Sequence, residues 1–236
     1  MPTSDYAVGA SAVVLHRLPL FGTDSETVDL AAQVSRVRRV KGLRLHPPAA
    51  TDAVVVADGY LTQGMAAAIL TLTRHGGVVT GLVALDAALH GGRIDLGQVS
   101  EAMGLVAPRT RPATWDRLVA EADPLCESPG ETRTRVLLRD LGIADVRSQV
   151  EIVDGGRLVA RVDFLVQERV IVEFDGAVKY GGDGGRAALI AEKRREDDLR
   201  RLGYVIVRLT WADLGQPGRV GQLVRQALAQ AARLLA

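Results

Sequence analysis

Two short runs constrain this chain most: Arg161-Val162-Asp163-Phe164-Leu165 and Val170-Ile171-Val172-Glu173-Phe174-Asp175-Gly176. In each, apolar residues recur at every second position, which is the period of a strand. Residues i and i+2 of a strand share a face. Val162, Phe164 and Val166 are therefore expected on one face, with Asp163 on the other. Val170, Val172 and Phe174 likewise leave Glu173 and Asp175 together on the opposite side. If the two strands pair, three acids meet on one sheet face. Carboxylates resist burial and repel one another, so such a cluster calls for a cation, a proton or an Arg/Lys partner. Hard oxygen ligands suit Mg²⁺, with Mn²⁺ able to substitute. A metal held this way activates water and neutralises a phosphodiester.

With 236 residues, the chain is long enough for one large domain or two ordinary ones, and 47% of its residues are apolar, enough for a packed core. Cys126 is the single cysteine, which rules out a disulfide framework or a Cys-based zinc site. It fits a reducing compartment, so a soluble cytoplasmic protein is expected. The start of the chain lacks the apolar stretch of a signal peptide, and the weakly polar run 76–89 is too short to span a bilayer. Net charge is +1, with 11 Lys+Arg against 12 Asp+Glu in residues 1–125 and 18 against 16 in 126–236. That total does not mark a strongly basic nucleic-acid binder, and it is compatible with an enzyme that touches a few phosphates. Only Lys41, Lys179 and Lys193 are lysines, and two of them follow the acidic runs.

The N-terminal half reads as a mixture of short elements. A helix is expected over Ser11–Leu18, with strands at Thr27–Ala31, Gly42–His46 and Ala53–Val56 around Pro47-Pro48 and the Asp58-Gly59 turn. Helices follow over Gln63–His75, Thr80–His90, from Asp95 to about Gly104, and Trp115–Ala122. Val106–Pro112 reads as a linker. The C-terminal half opens on Ser128-Pro129-Gly130-Glu131, a helix start with Pro at the first position and Glu131 in capping-box position. A final amphipathic helix lies between Ala212 and Leu235, with Val220, Leu223, Val224, Leu228, Ala231 and Leu235 on its apolar face. The expected domains are 1–122 and 123–236, both of mixed α/β type.

The order of elements from Glu127 to Leu214 resembles the Vsr-like branch of the PD-(D/E)XK nuclease superfamily. The likeness runs over about 90 residues: the helix with Glu131, Gln149-Val150-Glu151, Val162-Asp163-Phe164, Val172-Glu173-Phe174-Asp175-Gly176, the charged helix Glu192 to Leu199, and the strand Gly203 to Arg208. It implies a restriction-endonuclease-like αβββαβ core and Mg²⁺-dependent hydrolysis of DNA. On that reading Asp163, Glu173 and Asp175 hold the metal, with Glu131 as a further catalytic acid. The superfamily's lysine two residues after the Glu is replaced here by Asp175; Lys179 is the nearest substitute, and Lys193 and Arg195 are candidates for touching DNA. The first half resembles the middle region of AbiEi-like antitoxins of type IV toxin–antitoxin systems. The likeness rests on Ser11-Ala12-Val13-Val14-Leu15-His16-Arg17-Leu18-Pro19, Asp58-Gly59-Tyr60-Leu61-Thr62 and Ala84-Leu85-Asp86-Ala87-Ala88-Leu89. It implies DNA positioning or binding of a protein partner. Such proteins begin with a winged helix-turn-helix, for which the residues before Ser11 leave no room.

The function expected is a metal-dependent DNA endonuclease; the alternative is a non-catalytic DNA-binding regulator or antitoxin of a type IV toxin–antitoxin system whose nuclease-like domain is structural. Geometry separates them. Asp163 and Glu173 placed to share one cation favour the enzyme, while an Arg195 salt bridge filling that space favours the regulator. Several candidates have plainer readings. Glu131 also serves as a capping acid, Lys179 as a solvated residue, and Asp175-Gly176 as a turn. The four histidines are scattered without metal-ligand spacing and read as helix-end or surface residues, and Trp115 and Trp211 as packing residues.

Overall fold

A computed structural model describes residues 5–24, 26–49, 53–106, 112–176 and 185–234, with the backbone alone described at 106 and 185–189. The chain divides into two compact units, residues 1–129 and 130–236, so the boundary falls seven residues beyond the expected 122. Both units are mixed α and β, each built on its own sheet. No helix among the described residues is long and apolar enough to cross a membrane.

The first unit runs β1 (Tyr6–Ala7), α1 (Gly9–Leu15), β2 (Val28–Ala31), β3 (Arg38–Val40), β4 (Leu43–His46), β5 (Val54–Ala57), β6 (Tyr60–Gln63), α2 (Met65–Gly76), α3 (Val78–His90), α4 (Leu96–Val106) and α5 (Pro112–Ala120). Its strands form one mixed sheet in the order β3-β4-β2-β1-β6-β5. The Asp58-Gly59 turn has positive φ at both residues, 50° and 82°, and returns the chain antiparallel onto β5. Two-residue turns of this hand match the twist of a hairpin. Gln63 consequently ends β6, and the helix expected to start there begins at Met65. Pro112, read as the end of a linker, instead opens α5, the position where its missing N–H costs nothing. α2 and α3 approach closely at Gly81, where an added Cβ would lie 2.0 Å from Thr73 Oγ1.

The second unit runs α6 (Pro129–Asp140), β7 (Val146–Asp154), β8 (Arg157–Val166), β9 (Val170–Phe174), α7 (Gly185–Arg201), β10 (Val205–Leu209), α8 (Trp211–Leu214) and α9 (Pro217–Leu234), the αβββαβ core expected with the short α8 added before the final helix. The sheet order is β10-β9-β8-β7, with β10 parallel to β9 through the α7 crossover and the other neighbours antiparallel. One face packs against α6 and α9 through Phe164, Val166, Val170, Val172, Leu209, Leu138, Val220 and Val224. The other packs against α7 through Ile152, Ala160, Val162, Leu165, Ile171 and Leu199.

One expectation for β8 needs correction. Val162 packs on the α7 side and Phe164 on the α6/α9 side, so the alternation breaks at Asp163. The β7 residue there is Gln149, which is missing from a register otherwise continuous from Val146 to Ile152 and has φ 51°; a separate bulge follows between Ile152 and Val153. A non-glycine residue in the left-handed region turns the strand locally, and both strands change the face they present at this point.

Candidate functional site

Glu173 is the penultimate residue of β9 and shares the α7-side face with Ile171. The parallel register puts Arg208 of β10 directly beside it. Arg195 reaches it from α7 and donates twice, Nη1 to Oε1 at 2.9 Å and Nη2 to Oε2 at 3.3 Å, while Arg208 Nε donates to Oε2 at 3.4 Å. A fork-on-carboxylate pair of this kind fixes geometry as well as charge. Arg195 also donates to Glu192, through Nη2 at 2.8 Å and Nε at 3.0 Å. Arg208 Nη2 bridges to Glu192 and to Glu196, the latter at 3.0 Å. Three carboxylates thus share two guanidiniums. The Glu173 side chain is only 14% exposed.

The electrostatics follow the bonding. Arg195 is held more firmly protonated than usual by its hydrogen bond to Glu192; burial opposes this, and the bond and charge of Glu173 add to it. Glu192 is held below the ordinary carboxylate range, chiefly by the Arg195 hydrogen bond and then by the charges of Arg195 and Arg208, against burial.

Asp163 lies at the mouth of the β8–β9 hairpin. The paired register ends at Phe164–Val172, and one step further would set Asp163 opposite Glu173. There the Phe174 N–H donates to Asp163 Oδ2 at 2.8 Å, so a side chain continues the ladder. Glu131 is buried on α6 and accepts from Gln149 Nε2 at 2.9 Å. Since α6 packs on the other face, Glu131 and Glu173 are engaged from opposite sides of the sheet. Asp175 is exposed beyond β9, where its N–H donates to the Leu209 carbonyl at 2.8 Å. Lys193 is exposed on α7, and Lys179 lies outside the described residues. Phe174 is held edge-on by Trp211 with 4.8 Å between ring centres, and Gly130 leaves room for it, since an added Cβ would come within 1.9 Å of the ring.

A divalent cation needs several carboxylate oxygens converging on one point. Both oxygens of Glu173 are on guanidiniums, and an oxygen of Asp163 is on the backbone. Among the described residues no group of three His, Cys, Asp or Glu is placed to hold a metal ion. The donor set in this arrangement does not fit Mg²⁺ or Mn²⁺: Arg195 stands where the cation's charge would be needed. Arg208, Glu192 and Glu196 were not singled out from the sequence. Arg208 shares the α7-side face of β10 with Ile206, and its place beside Glu173 is readable only once β10 is known to lie parallel to β9.

The histidines are not surface residues throughout. His16 is buried and its Nε2 donates to the Gln63 carbonyl at 2.7 Å. His46 is buried with its Nε2 2.7 Å from Asp29 Oδ1, and its ring centre is 5.2 Å from that of His75.

No protein-family profile matches the chain, and no solved structure matches it. The chain is similar to uncharacterized proteins from two strains of Mycobacterium tuberculosis, 26% identical over 217 residues that cover 90% of this chain and 79% of each relative.

Proposed function

We propose that this chain is a DNA-binding regulator whose second unit keeps a nuclease-like element order as structural framework. The observation that carries the reading is the pair of guanidiniums on Glu173: Arg195 and Arg208 supply there the positive charge a catalytic cation would bring. The AbiEi-like motifs of the first unit support a regulatory role, as the DNA-binding member of a type IV toxin–antitoxin pair.

A second reading, the Mg²⁺-dependent endonuclease, is favoured by one specific feature. Asp163 and Glu173 are the residues one step beyond the last β8–β9 pair, on facing strands at the open end of the ladder. The test is a cleavage and binding assay on single-stranded, duplex and mismatched DNA with Mg²⁺ or Mn²⁺. The regulator binds DNA and leaves it intact. Metal-dependent cleavage by the wild type that disappears in Asp163→Ala, Glu173→Ala hands the function to the endonuclease.

A further inference from the structure

The cations of the first unit are concentrated in one place. Residues 1–129 contain 11 Lys+Arg, and five of them, Arg36, Arg38, Arg39, Lys41 and Arg44, fall within nine consecutive residues that include no acid. The other 120 residues of the unit carry six cations and 13 acids. Arg36 lies just before β3, and the rest of the segment folds into the β3–β4 hairpin, antiparallel through Arg38–Leu45, Arg39–Arg44 and Val40–Leu43 and closed by Lys41-Gly42, with Gly42 at φ 73°. β3 is an edge strand of its sheet. Arg36, Arg38, Arg39 and Lys41 are all exposed.

Arg44 is ion-paired to Asp29 at 3.4 Å. Among the described residues no carboxylate lies within ion-pair distance of Arg36, Arg38, Arg39 or Lys41, and Asp24 is close enough to feel the charges of Arg39 and Arg44. Arg39 and Arg44 stand directly opposite one another across the ribbon. Like charges in that position cost stability unless an anion answers them; here Asp29 pairs with Arg44 and Asp24 lies near both, which leaves Arg36, Arg38 and Lys41 as the charges without a carboxylate among the described residues. Charge on an edge strand also discourages edge-to-edge pairing, but one or two lysines achieve that without opposing two arginines.

We propose that the β3–β4 ribbon docks on the phosphate backbone of duplex DNA; this rests on the DNA-binding reading above and locates its contact surface. Phosphate rows, with one charge per about 1.7 Å of duplex axis, provide anions along the sheet edge that β3 and its turn present. Arg36, Arg38 and Lys41 are the phosphate-binding residues on which the affinity depends most, since none of the described residues gives them a carboxylate partner.

The experiment is fluorescence anisotropy of the full chain with a labelled duplex of about 20 bp, two helical turns, over a range of salt. The variant is Arg36→Gln, Arg38→Gln, Lys41→Gln, and circular dichroism verifies its fold. Wild type should bind with a salt slope steeper than the variant's by about 2.7, at about 0.9 for each phosphate that the variant leaves unneutralised. The charge-preserving Arg36→Lys, Arg38→Lys, Lys41→Arg variant should keep the wild-type slope. A folded glutamine variant with wild-type slope and affinity overturns the ribbon and leaves the DNA-binding reading intact. Wild type without affinity for duplex DNA overturns both. Tighter binding to duplex RNA than to duplex DNA overturns the choice of ligand.

Discussion

Glu192 shows how one side chain adapts to a shared site. It sits one helical turn from Glu196 on α7, and it receives hydrogen bonds from both Arg195 and Arg208. The sequence shows a charged helix and invites the view that its acids are solvated; what it hides is the strand beside them. Arg208 is 16 residues away in the chain and reaches Glu192 only through the parallel β9–β10 pairing. Asp163 and Glu173, by contrast, were legible as special, because an acid between apolar strand neighbours has few plain uses. The depressed pKa of Glu192 has a thermodynamic consequence. A carboxyl whose folded pKa lies below its unfolded value stabilises fully above the unfolded pKa and loses that contribution as pH falls through the folded one. The melting temperature of the wild type should exceed that of Glu192→Gln near neutral pH, and the gap should close between about pH 5 and pH 3, around and below the ordinary glutamate range. A gap that stays constant over that range would show that Glu192 acts by packing alone.

Elements were legible in proportion to their length and period. The long helices α2, α3 and α9 and the strands β8 and β9 announce themselves by repeated spacing. β1 and β3 have two and three residues, too few for any period, and exist because neighbouring strands pair with them. β6 was not expected as a strand: its last residue, Gln63, was read as the start of the following helix, and Tyr60-Leu61-Thr62 is too short a run after the Asp58-Gly59 turn to show a period. The reversal at Gln149 and Asp163 is the least legible feature of all. Nothing in Ser148-Gln149-Val150 signals a positive φ, and the alternation of β8 reads as unbroken. Gln149 combines that backbone with the hydrogen bond to Glu131, so the residue is doubly constrained. A β-branched side chain fits the left-handed region badly, and loss of the amide removes a donor from a buried carboxylate. Gln149→Val should therefore destabilise by about 3 kcal/mol, roughly 1–2 from the backbone and 1–2 from the lost bond. Urea unfolding measures it, and a change below about 1 kcal/mol would mean that the strand relaxes to ordinary geometry without cost.

At the scale of the whole molecule, composition was misleading in a specific way. A net charge of +1 argues against a basic nucleic-acid binder, yet the first unit gathers five cations at one ribbon while its remaining residues are acid-rich. Averaging over the chain erased the segregation, and a window of nine residues would have found it. The same scale separates the two functional readings through ligand-linked stability. A ligand that binds only the folded state stabilises by about 2.7 kcal/mol at a hundredfold excess over its dissociation constant. For chains of this size each kcal/mol corresponds to roughly 2–4 °C in melting temperature. Duplex DNA at such an excess should therefore raise a melting transition of the wild type by about 5 °C or more. Millimolar Mg²⁺ or Mn²⁺ should leave it unchanged, because the oxygens of Glu173 are committed to Arg195 and Arg208. A Mn²⁺-dependent rise that is lost in Asp163→Ala would instead mean that the cation displaces Arg195 from Glu173, and the arginines would then be free to meet a phosphate beside the metal.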